Sequence, residues 1–77
     1  MKIFTIKNNE IIDVTENKNA IFYARQFPRA LFYALVNELS GIRVFEAHAG
    51  LDNKWRSGWA IDNEEQVINL LKGAGHV

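Results

Sequence analysis

An α+β domain, with an antiparallel sheet of four to five strands covered on one face by two to three helices, is the architecture this sequence predicts. Three observations carry it. Two short alternating segments, 2–7 and 10–14, flank Asn8-Asn9, and a second pair, 42–49 and 54–61, flanks Gly50-Leu51-Asp52-Asn53. Between the two pairs, Leu31, Phe32, Leu35, Val36 and Leu39 form a broad apolar stripe at helical spacing. At 77 residues there is room for one domain, 1–77, and no second core. With 48% hydrophobic and 12% aromatic residues, the chain has the side chains to build that core.

The first hairpin rests on Lys2, Ile3, Phe4, Thr5, Ile6 and Lys7, then Glu10, Ile11, Ile12, Asp13 and Val14, around two asparagines that tolerate positive φ. Residues 16–27 fit two patterns. As a helix, Ala20, Ala24 and Phe27 share a face, Thr15 or Asn17 caps the start, and Phe22 falls beside Arg25 and Gln26 on the polar side. As a strand, Ala20, Phe22 and Ala24 alternate with Ile21, Tyr23 and Arg25. The helix is the preferred reading. Pro28 suits the first position of a following helix over 28–40, which Gly41 would end in the left-handed conformation. On that helix Arg29, Tyr33 and Asn37 lie opposite the stripe.

In the second hairpin the alternation puts Trp55, Ser57, Trp59 and Ile61 on one face and Lys54, Arg56, Gly58 and Ala60 on the other. Asp62-Asn63-Glu64-Glu65 reads as a capping box with Asp62 as N-cap. The helix after it shows Val67, Leu70, Leu71 and Ala74 on one side, with Gly73 and Gly75 ending it and His76-Val77 as a short tail. The order is ββααββα, or βββαββα if residues 20–26 are a strand.

Composition narrows the function classes. Nine Lys and Arg balance nine Asp and Glu, which argues against a disordered tail, an acidic nucleic-acid mimic or a histone-like protein. The absence of cysteine excludes disulfides, thiolate chemistry and cysteine-held metals, and points to a cytoplasmic setting. The N-terminal residues alternate and do not read as a signal peptide. The longest apolar run, Ala30 to Val36, is far too short to span a membrane. No phosphate-loop, dinucleotide, zinc-protease or calcium-loop motif is present.

Four groupings have chemical potential. Glu46 and His48 share a strand face by their i, i+2 spacing, and Asp52 follows in the turn. Such a set offers a weak divalent-metal site, with His76 as an additional ligand, against the plainer reading of a solvated strand face. His48 across from Ser57 is the nearest approach to a hydrolytic pair, but it lacks an oxyanion site. Arg43, Lys54, Arg56, Trp55 and Trp59 interleave bases with aromatics, as a nucleic-acid face does. The plainer reading makes both tryptophans core and leaves a flat, exposed surface around Gly58. Finally, Phe22, Arg25, Arg29 and Tyr33, with Tyr23 and Phe27 nearby, combine aromatics with arginines, the composition of protein-interface hot spots.

The expected function is non-catalytic. The chain reads as a small binding or regulatory protein that docks on another protein through Phe22, Arg25, Arg29 and Tyr33, in the manner of an inhibitor or accessory factor of phage or mobile-element type. No cofactor, no metal and no membrane are expected. Zero net charge favours a protein over a nucleic acid as partner, because phosphate binding draws on clustered Lys and Arg. A nucleic-acid module and a metal-dependent site at Glu46, His48 and Asp52 are the alternatives.

Overall fold

The structure, a computed structural model, describes residues 1–27 and 31–76. The elements run β1 (Lys2–Lys7), β2 (Glu10–Asp13), α1 (Lys18–Gln26), β3 (Phe32–Glu38), β4 (Gly41–Ala49), β5 (Trp55–Ala60) and α2 (Glu64–Gly73). The strands form one antiparallel sheet in the order β2-β1-β3-β4-β5. The α+β class holds, but the order is ββαβββα, which is neither of the two orders expected.

The local signals at the first hairpin act as the sequence implies. Asn8 and Asn9 take φ values of 53° and 63°, and Lys7 pairs with Glu10 across them. Residues 18–26 are helical. Asn17 is the N-cap and accepts from the Ala20 amide at 3.1 Å. Thr15 instead ties the hairpin together: its hydroxyl accepts from the Ile3 amide at 2.9 Å and donates to Asp13 at 2.7 Å.

The expected helix over 28–40 is not there. Residues 28–30, which include its proposed first position Pro28, lie outside the described residues, and Phe32–Glu38 is a strand. It is the middle strand of five, paired with β1 on one side and β4 on the other. Phe32, Tyr33, Ala34 and Leu35 are all buried, two toward each face. A strand buried on both faces loses its two-residue alternation, and a continuous apolar run fits a wide helical stripe equally well. Gly41, at φ 128°, therefore ends no helix. It pairs with Glu38 across a two-residue turn that leaves Leu39 fully exposed.

The helices lie on opposite faces of the sheet, not on one. Ala20 and Ala24 of α1 pack with Ile3, Phe32, Ala34 and Ala47. Val67 and Leu71 of α2 pack with Phe4, Tyr33, Leu35 and Val44. Alternate residues of β3 feed the two cores.

The start of α2 also differs from expectation. Asn63 is the N-cap, its side chain makes no capping bond, and Asp62 lies outside the helix. Glu64 supplies the anchor instead. Its carboxylate accepts from Arg43 Nε at 2.7 Å and from the Val44 amide at 3.2 Å. β5 ends at Ala60, opposite Phe45, so this carboxylate serves the stretch of β4 beyond the last β5 residue. At the other end His76 is held, not loose: its amide donates to Leu71 at 2.9 Å and its ring meets Phe4 edge-on at 5.0 Å.

Candidate functional site

The second hairpin decides where the tryptophans go. Ala47 pairs with Ser57 and Phe45 with Ala60, so Gly58 and Trp59 together face the single residue Glu46. This bulge reverses the facing of everything after Ser57. Trp55 packs on the α1 side with Phe32, ring centres 5.2 Å apart, while Ile61 joins the α2 side. Trp59 is 81% exposed and belongs to neither core. The two tryptophans and Ile61 therefore do not share a face.

The proposed nucleic-acid residues are correspondingly dispersed. Arg43 is paired with Glu64 and lies over the Phe45 ring, 5.5 Å from its centre. That carboxylate holds the Arg43 guanidinium above its ordinary pKa, and the same bond holds Glu64 below the usual carboxylate range. Arg56 is paired with Asp52 at 2.7 Å. The Trp55 indole nitrogen is buried with no hydrogen-bond partner among the described residues, which places it in the core and away from a base. Among the described residues, only the Lys54 and Trp59 side chains of the set have no polar or ring partner.

Nor is Gly58 a flat opening. A Cβ there would come within 2.5 Å of the His48 ring, so the imidazole occupies the space a side chain would need. His48 Nε2 lies 3.1 Å from Glu46, which fits the expected sharing of a strand face. Asp52 does not join them, because it is turned to Arg56 and to the Lys54 amide. Among the described residues no three His, Asp or Glu side chains are grouped to hold a metal ion.

The fourth grouping splits as well. Tyr33 sits on β3 and is 8% exposed in the α2-side core, so its expected place on an open helical face is corrected. Arg29 lies outside the described residues. Helical spacing turns Phe22 away from Ile21 and Ala24, the two buried residues of α1, and sets Arg25 on the exposed flank one turn beyond Ile21. Phe22 is 59% exposed. Arg25 donates to the Asn53 side chain in the β4–β5 turn at 2.7 Å.

Two hollows adjoin these residues. Phe22, Arg25, Gln26, Ala49 and Leu51 line one of about 260 Å³. Lys18, Ile21, Phe22 and Asn53 line another of about 360 Å³. Phe22 is common to both. Leu51, 90% exposed at the tip of the turn, lines the first hollow with Phe22. Sequence reasoning found Phe22 and Arg25 but passed over Leu51, Asn53 and Lys18. The signal was present in Leu51, an aliphatic side chain in a turn otherwise made of Gly, Asp and Asn.

On the other flank of α1, Phe27 and Tyr23 lie 4.6 Å apart, and Tyr23 reaches Phe32 at 6.5 Å. With Trp55 these rings make a row that descends from surface to core. Compared with protein-family models, with curated protein sequences and with solved structures, the chain finds no match.

Proposed function

We propose that this chain is a non-catalytic binding module that docks on another protein through α1 and the β4–β5 turn. One observation carries the reading: Phe22 and Leu51, two large apolar side chains on separate elements, are both exposed and line the same hollow. Scattered exposed apolar residues are normal on any surface, but paired walls around a concave floor are the form of an interaction site. Arg25, oriented by Asn53, adds a hydrogen-bonding cation of the kind enriched in hot spots.

Site-specific photocrosslinking in the source organism tests it. A photoreactive residue at position 22 is expected to form a covalent adduct with a second protein, and the same residue at position 59 to form none. An adduct at 59 but not at 22 would move the site to the bulged strand. An adduct with RNA or DNA would replace the protein partner by a nucleic acid.

A further inference from the structure

Resting on the docking reading above, we infer that the groove between α1 and the β4–β5 turn takes an acidic segment of the partner protein. An apolar side chain of that segment lies between Phe22 and Leu51, and its carboxylates meet Arg25 and Lys18.

The charge arrangement points there. Among the described residues, Arg43 and Arg56 each have a carboxylate within salt-bridge distance, whereas Arg25 and Lys18 have none. Arg25 is held by a neutral amide oxygen, which aims the guanidinium without neutralising it. Asn53 takes φ 60° to present that oxygen, a left-handed conformation that asparagine accepts more readily than most side chains. The nearby carboxylate, Asp52, is committed to Arg56. Among the described residues, none of the side chains lining the two hollows is acidic. The groove thus presents cations with free donors over an aliphatic and aromatic wall.

The other occupants fit less well. A second copy docked by a two-fold axis through this groove would bring two sets of Arg25 and Lys18 together without a carboxylate from either lining to pair them. A nucleic acid would gain little from two cations, since its affinity grows with the number of phosphates neutralised. Each hollow has the size of one or two side chains, and the two adjoin at Phe22. That suits an extended or helical peptide segment better than a compact ligand.

Selection of displayed random peptides on the immobilised full-length protein tests this. Enriched peptides are then synthesised and titrated against the parent, Arg25→Glu, Lys18→Glu and Phe22→Glu proteins, with amide spectra confirming that each variant folds. The expected consensus sets Asp or Glu beside an aromatic or aliphatic residue. Its affinity should fall at least about tenfold in Arg25→Glu, the loss expected for one well-placed charged hydrogen bond. A peptide with its acids changed to Lys should recover binding to that variant. Enriched peptides without acidic residues that bind Arg25→Glu as well as the parent would overturn the acidic partner and leave the docking groove standing, provided Phe22→Glu still weakens them. Peptides indifferent to Phe22→Glu, or no enrichment at all, would overturn the docking reading together with it.

Discussion

The two faces of the sheet are built from different materials. On the α2 side, Phe4, Tyr33, Leu35, Val44, Val67 and Leu71 form the core, with Ile6, Ile11, Ile42, Ile61 and Ile68 around it. Large side chains meet large side chains, and the helix buries Val67 and Leu71 while Leu70 stays exposed. On the α1 side, Ile3, Val14 and Phe32 come from the hairpin and the middle strand, and Ala20, Ala24, Ala34, Ala47 and Ala49 bring a nine-residue helix close to the strands. A short helix set close on alanines covers little, and the bulky residues of this region are left at its margins: Phe22, Tyr23 and Phe27 are each at least half exposed. The comparison teaches that the aromatic surplus of this sequence is not spread evenly. One face holds the fold together, and the other holds a smaller core with an apolar rim.

The difference can be attacked by mutation on either side. Leu35→Ala, in the core under α2 at 6% exposure, should cost about 2–5 kcal/mol by transfer and cavity effects. Denaturant titration measures it, and a loss under about 1 kcal/mol would mean that this core is not close-packed. Ala34→Leu probes the opposite face of the same strand. Ala34 is fully buried between β3 and α1, so added methylenes should cost about 1–3 kcal/mol by overpacking. A neutral or stabilising result would show that α1 sits more loosely than the alanine contacts imply.

Acid should weaken the fold through two carboxylates. Asp13 is held below the usual range by its hydrogen bonds from the Thr15 hydroxyl and amide, and Glu64 by its bond from Arg43. Both are depressed in the folded state. Their stabilisation is therefore present above the ordinary carboxylate pKa and is lost as pH falls below it toward the folded-state values. Unfolding titrations at neutral and acid pH should show the loss, and Glu64→Gln should show less of it. The smallest effect is expected at Asp62. Outside the helix and without a capping bond, it should tolerate Asp62→Ala within about 0.5 kcal/mol.

What was legible in the sequence follows the same division. Hairpins declared by local chemistry were readable: Asn8-Asn9 at one turn, Gly50 to Asn53 at the other. So was α1, whose Asn17 cap and Ala20/Ala24 spacing agree. Long-range burial was not. Leu31 to Val36 reads as a helical stripe because nothing local reveals that both faces of Phe32–Glu38 are covered, and with β3 misassigned Tyr33 came out on an open surface. The bulge at Gly58-Trp59 shifts the facing of the tryptophans by one position, which alternation cannot register. Of the docking site, the helical half, Phe22 and Arg25, could be read from spacing. On the turn only Leu51 stands out, an aliphatic residue among Gly, Asp and Asn, and that it lies beside α1 depends on which strand is under the helix, which spacing does not give.

The division of labour between the faces is tested most directly by placing Phe22→Glu beside Leu35→Ala and measuring melting temperature and partner capture on the same samples. The account predicts that Phe22→Glu melts with the parent and captures no partner, and that Leu35→Ala melts well below the parent yet captures the partner at temperatures where it is folded. A Phe22→Glu protein that melts with the parent and still holds its partner would contradict it.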